Sequence, residues 1–310
     1  MPPPPALIVD TDCGPDDLAA LAFIAQQALP LRLVTTVHGL CEPGRGFALA
    51  RRCLDALGMA NVPVVAGDES GPPGRAQESV AARELHSELF ALANQAVPPT
   101  DSCTAAAAPV TGSADAAAKA IMRCARQSGG GCTVLALGSL TNLARAAQMD
   151  PAGFVSNVKR IVVMGSPDGE HTPFNLRQNP AAFTTLLRTR VRLELVSGTL
   201  VPASQLQGVF ADDDSSDKQP SAAALLLRKL GRHEWGGYFL AYDALAAFAV
   251  CRSEAFAAPR RRYLREVSAS GVLGQWEETE TETEGGGAVY ELPAVDVEVY
   301  RSFLRGQSTY

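Results

Sequence analysis

The sequence is short of lysine, histidine, tryptophan and long apolar runs, and each shortage closes off a class of function. Only four of its 27 basic residues are lysine, and the formal net charge is −6. So acidic a chain lacks the basic face by which proteins grip nucleic acid, and no nucleic-acid partner is expected. Four histidines share no metal-ligand spacing, and seven cysteines include no CxxC pair, so a structural zinc site is not expected. The odd cysteine number also argues against a disulfide framework and fits a reducing compartment. No stretch approaches 18 consecutive apolar residues, so no membrane span is expected. The opening MPPPPALIVD has no basic n-region and little apolar length, so it does not read as a signal peptide, and a cytoplasmic location is the expectation.

What is present reads as an ordinary globular chain: 310 residues, 46% hydrophobic and 19% charged. Short apolar runs at Leu7–Val9, Leu31–Val37, Val62–Val65, Thr133–Leu137, Arg160–Met164 and Arg192–Val196 predict strands. They lack polar alternation, which points to strands buried on both faces, as in a parallel sheet. Helical patterns fall between them at Asp16–Gln27, Arg45–Leu57, Ala114–Arg126, Thr141–Gln148 and Pro180–Leu187. Gly58 stands where a glycine ends a helix, Thr141 is expected to cap its helix, and Asn179-Pro180 reads as an N-cap with proline next. The fold class expected is therefore α/β, a doubly wound, mostly parallel open sheet with helices on both faces. Residues 1–310 read as one domain, with 96–113 and 276–288 as flexible loops, and Asp296–Leu304 as a closing helix.

In open α/β sheets ligands bind beyond the carboxyl ends of the strands. Those exits carry Asp10 and Asp12, His38 to Leu40, Gly67, Gly138, Gly165-Ser166 and Gly198. His38 is a candidate binding residue on that ground. The first exit stands apart, because Asp10, Asp12, Asp16 and Asp17 crowd into eight residues. Asp10 and Asp12 are two apart on an extended chain, hence on one side, and Asp16-Asp17 open the next helix. A helix terminus favours a carboxylate by about 0.3–1 kcal/mol. Two carboxylates about 4 Å apart repel by about 4 kcal/mol at an effective dielectric near 20. One helix end cannot offset four of them, and no lysine or arginine precedes Arg32. Simple N-capping would explain Asp16 and Asp17, but not acids that directly follow an apolar strand. A hard divalent cation held by oxygen ligands answers the imbalance.

DTDCGPDD, after an apolar strand and before a helix, resembles the DxDxGxDD signature of the inosine/uridine-preferring nucleoside hydrolases. PVVAG at 63–67, LALGSLTNLARAAQMDP at 135–151, VKRIVVMGS at 158–166, FNLRQNPAAF at 174–183, YDALAAF at 242–248 and VSASGVLGQ at 267–275 resemble further family blocks, in order. The resemblance implies calcium-dependent hydrolysis of the N-glycosidic bond of ribonucleosides. It implies Ca2+ held by Asp12, Asp17, the backbone carbonyl of Leu137 and Asp243, with Asp12 as general base. It also implies that Asp16 and Asn175 bind the ribose, that Met164 lines the pocket, that Asp10 supports the loop from behind, and that the chain forms a homodimer or homotetramer.

Three positions depart from the family pattern. Leu40 stands where an asparagine contacts the sugar, and Pro173 replaces a hydroxyl-binding glutamate. Tyr242 replaces a histidine proposed to protonate the leaving base, and purine-preferring relatives carry a stacking aromatic there, so a purine-leaning substrate is expected. The stretch after Met164 is short, and Asp168 or Glu170 is a candidate for the missing asparagine. Two other readings compete. In one, the lost sugar contacts leave a degenerate member that binds a ribosyl compound with little activity. In the other, Asp10 and Asp12 are the DxD of a haloacid-dehalogenase-like phosphatase, although Gly14-Pro15 and the extra Asp16-Asp17 do not fit that pattern.

Overall fold

The computed structural model describes residues 6–70, 79–98, 115–167, 172–211, 220–266, 276–284 and 286–307. Up to Val196, β1 (Ala6–Thr11), β2 (Leu31–Thr36), β3 (Val64–Ala66), β4 (Cys132–Ala136), β5 (Val158–Met164) and β6 (Leu193–Val196) alternate with helices. These are α1 (Pro15–Gln26), α2 (Pro43–Ala56), α3 (Val80–Ala96), α4 (Ala116–Gln127), α5 (Thr141–Met149), α6 (Pro151–Asn157), α7 (Phe174–Gln178) and α8 (Pro180–Thr189). There follow α9 (Ala203–Leu206), α10 (Ala222–Gly231), α11 (Gly236–Ala241), α12 (Asp243–Cys251), β7 (Arg260–Glu266), β8 (Trp276–Thr279), β9 (Gly286–Glu291) and α13 (Val297–Leu304). None of the described helices is long and apolar enough to cross a membrane.

All nine strands form one sheet, in the order β3-β2-β1-β4-β5-β6-β9-β7-β8. Pairing is parallel from β3 through to β9, and β7 runs antiparallel to both β9 and β8. The chain winds outward from β1 through β2 to β3, then returns to place β4 on the other side of β1. The order reverses there, so the carboxyl ends of β1 and β4 part company, and that is where a doubly wound sheet opens a crevice.

Alternation along the strands explains the unbroken apolar runs. Leu7 and Val9 enter one core cluster with α1, α10 and α12, whereas Ile8 enters the other with α4, α5 and α8. Leu135 and Val134, and Val162 and Ile161, divide in the same way. Helices α1 and α12 are apolar all round and buried nearly throughout, so they form an inner layer against the sheet. Asp17 and Asp243, in the first turns of these two helices, are therefore buried as well.

Two expectations need correction. Thr141 does not cap its helix: Leu140 holds the N-cap position, and the Thr141 hydroxyl is engaged by Asn179 Nδ2 at 2.9 Å and lies 3.2 Å from Ser139 Oγ. Residues 276–288, expected as a loop, contribute β8 and the start of β9. The Glu/Thr alternation there suits a strand, because Glu277 and Glu278 meet Arg265, Arg260 and Arg262 across β7. Residues 99–114, most of the other expected loop, lie outside the described residues. The Asn179 cap is as expected, its side chain accepting from Ala182 N, and Gly58 has the left-handed φ of 75° that ends a helix.

Candidate active site

A cavity of about 450 Å³ opens at the carboxyl ends of the parallel strands. Its floor is built by the β1–α1 turn. Cys13 takes a left-handed φ of 64°, unusual for a residue with a side chain, and swings the chain from strand into helix. The turn is held by Cys13 N donating to Thr11 Oγ1 at 3.0 Å and by Gly14 N donating to Asp17 Oδ2 at 2.8 Å. Thr11 Oγ1 also donates to Asp17 Oδ1 in a short contact. Asp12, Asp16 and Asp17 are thereby presented to the cavity, and the first turn of α12 adds Asp243.

Carboxylate oxygens of Asp16, Asp17 and Asp243 lie within 4.8 Å of one another. Asp12 is outside that triplet. It hydrogen-bonds to Asp17 and accepts from Leu40 N at 3.0 Å. The tightest carboxylate group therefore differs in one member from the expected ligand set, with Asp16 in place of Asp12. Leu137, whose carbonyl completes that set, lines the same cavity, and this carbonyl accepts from Asn175 Nδ2 at 2.7 Å.

Electrostatically the floor is unfinished. Burial pushes Asp12 and Asp243 well above the usual carboxylate range, and neighbouring Asp17 and Asp16 push them further. Asp16 rises to about 7, through burial and then the Asp17 charge, and burial raises Asp17 too. Among the described residues lining the cavity there is no lysine or arginine. Asp12, Asp17 and Asp243 are buried and Asp16 is partly so, and an all-oxygen donor set of this kind suits a hard divalent ion. These residues fit such an ion.

Asp10 lies one step behind the floor. It is fully buried, its Oδ1 accepts from Thr35 Oγ1 at 2.6 Å and Asn142 Nδ2 at 2.8 Å, and its Oδ2 has no hydrogen-bond partner. Burial raises it to about 7. From there it ties β1 to β2 and to α5. Backbone approach is equally tight: a Cβ on Gly39 would sit 1.9 Å from Asp12 Oδ2, so only glycine lets the β2 exit pass over that carboxylate.

The other expected site residues divide. Asn175, Met164 and Tyr242 all line the cavity. Asn175 spends its amide on the carbonyls of Leu137 and Met164. Tyr242 packs on Tyr238, with centroids 6.3 Å apart and planes 19° from parallel. His38 is buried at the β2 exit but is not among the lining residues, where Leu40 stands instead. Asp168 and Glu170 lie outside the described residues.

Sequence reasoning missed the wall contributed by α3. Leu85, His86 and Leu89 line the cavity, and the His86 ring meets Phe174 edge-on at 5.0 Å. His86 is half-buried there. Its only signal was a histidine on the polar side of a helical pattern, which resembles any solvated position.

The profile of the inosine-uridine preferring nucleoside hydrolases matches residues 7–309. Among curated proteins, "Probable uridine nucleosidase 2" of Oryza sativa subsp. japonica is 32% identical over 184 residues, 57% of this chain and 51% of that protein. The matched part thus spans about half the length of that relative. Among solved structures, a plant nucleoside hydrolase superposes with a TM-score of 0.74 at 20% identity, covering 98% of both chains. An inosine-guanosine nucleoside hydrolase gives 0.75 at 20% identity over 97% of both. With a family profile spanning nearly every residue and the acid-floored crevice where the sheet order reverses, the chain belongs to the inosine-uridine preferring nucleoside hydrolase family.

Proposed function

We propose that this protein hydrolyses the N-glycosidic bond of ribonucleosides, with Ca2+ bound at the cavity floor and purine nucleosides preferred. The carboxylate cluster at the switch point carries the reading: Asp12, Asp16, Asp17 and Asp243 converge in one cavity with no cationic side chain among its described lining. Asp17 and Asp243 would hold the ion, with the Leu137 carbonyl and either Asp12 or Asp16 beside them. A bound divalent cation supplies charge compensation and makes water a better nucleophile near neutral pH. Asp12, fixed by the Leu40 amide, takes a proton from the attacking water as general base. Positive charge developing on the ribose is stabilised by the surrounding carboxylates, as in other glycosyl transfers.

Sugar binding falls to Asp16 and to the side-chain carbonyl of Asn175, whose amide is already committed to the backbone. The base lies against Tyr242, and stacking favours the larger purine surface. His86 is the one imidazole among the described lining residues and is the candidate to protonate the departing base. Names among the relatives divide between uridine and inosine-guanosine, so the purine preference rests on Tyr242. In keeping with the family, the protein is proposed to form a homodimer or homotetramer. Leu40 and Pro173 both line the cavity and offer no side-chain hydrogen bond, which supports a sugar grip with fewer contacts rather than a lost reaction, because the carboxylate floor is whole.

Ribose release from purine, pyrimidine and p-nitrophenyl ribosides tests this. Wild type should release ribose, fastest from purine nucleosides. No release from any of them, by protein shown to contain calcium, would favour a binding protein without activity.

A further inference from the structure

The amino edge of the same sheet holds a second cavity, of about 500 Å³, that the hydrolytic site does not use. Its ten described lining residues come from the starts of β1 and β2 (Ala6, Arg32, Leu33), the approach to β3 (Pro63, Val65) and one side of α4 through Ser128. Six residues of β1 at about 3.3 Å each separate it from the carboxylate floor by about 20 Å, so it is no extension of the active site.

Its charge is the opposite of the floor's. Arg32 and Arg123 line it and no acidic residue does, in a chain with 33 acids against 27 bases. Among the described residues neither guanidinium is in an ion pair. The contrast is sharp on α4 itself, where Arg126, three residues on, is paired with Asp150 at 2.6 Å. Arg32 is also the one exposed residue of a strand otherwise buried along its length, and it lies before the stretch of β2 that pairs with β3, where the register with β1 shifts. Ala6, Leu33, Pro63, Val65 and Ala120 give the cavity an apolar surface suited to a flat ring, beside Cys124, Gln127 and Ser128.

We propose that this cavity is a binding site for a small phosphomonoester with a flat apolar body, the chemistry of a nucleoside monophosphate. Two guanidinium groups match a phosphate dianion in charge and in fork geometry, and the apolar floor takes the ring.

Calorimetric titration of the full chain with phenyl phosphate, inorganic phosphate and phenol tests it, since none of these carries a glycosidic bond for the hydrolytic site. The expected result is one saturable site for phenyl phosphate, weakened by salt, and about tenfold or more tighter than for inorganic phosphate or phenol. Arg32→Gln with Arg123→Gln should weaken it by about tenfold or more, each single change lying between, with ribose release and thermal midpoint as in wild type. No saturable binding, equal affinity for inorganic phosphate, or an affinity unchanged by the double substitution would each overturn the assignment.

Discussion

Carboxylates at two places in this sheet are treated in opposite ways. Along β7, β8 and β9 the acids Glu277, Glu278 and Glu291 each meet an arginine. Arg262, 7% exposed, bridges Glu278 at 3.0 Å and Glu291 at 3.1 Å, and Glu194 on β6 meets Arg160 at 2.9 Å and Arg192 at 2.6 Å. At the carboxyl end of β1 the acids Asp12, Asp17 and Asp243 are buried as deeply, and no arginine or lysine stands among the described residues lining their cavity. Compensated charge builds an edge; uncompensated charge, kept at the cost of burial, lies where the site of binding and chemistry is proposed. The two regions also touch. Ser166, which lines the cavity, donates to Glu291 at 2.7 Å, and Arg262 reaches both Ser166 Oγ and the Pro167 carbonyl, so the edge lattice braces one cavity wall.

The largest effect should come from the uncompensated side. Asp12→Ala should lower kcat for ribose release by about 10²–10⁴-fold, the range for loss of a general base, while circular dichroism stays native. Asp12→Ala with near wild-type kcat would move the proton acceptor elsewhere, Asp16 first.

Next in size is the pH response of stability without divalent cations. Asp10 and Asp16 sit near 7 in the folded chain against about 4 when unfolded. The native state therefore binds more protons than the unfolded chain between those values. This stabilisation is present below about pH 4 and is lost as pH rises through 7. In chelator, the thermal midpoint should fall from pH 5 to pH 8. Added calcium should flatten the slope, because it binds the deprotonated floor. At the compensated edge, groups already paired should give no such metal-dependent slope.

Arg262→Ala strikes that edge where it is most buried and takes the guanidinium from Glu291, while Glu278 keeps Arg260, so a loss of about 1–3 kcal/mol is expected in urea unfolding. Arg265→Ala, at an exposed pair with Glu277, should cost less than about 1 kcal/mol and vanish in high salt. Equal losses at the two arginines would break the link drawn here between burial and compensation.

How far all this was legible in the residues follows from range. The acid floor was readable because its geometry is local: Asp12 directly follows β1, and Asp16-Asp17 open the next helix. The parallel strands were readable because burial on both faces leaves unbroken apolar runs. The α3 wall was not, since Leu85, His86 and Leu89 reach the cavity only through tertiary docking of an Ala-rich helix with few buried positions. Strands β7 to β9 were hidden for a related reason. RRRYLRE and WEET look solvated in isolation, and only their pairing turns arginine and glutamate into partners. Asp16's closeness to Asp17 and Asp243 likewise needed the packing of α1 on α12, two elements more than 200 residues apart.

The central claim is that the carboxyl edge is short of a cation. Calorimetric titration of calcium into chelator-treated protein tests it most directly, beside Asp17→Asn and Asp243→Asn. One ion per chain, with binding lost or weakened at least about tenfold in either variant, is the predicted result. No binding by folded wild type, or undiminished binding by both variants, would contradict it.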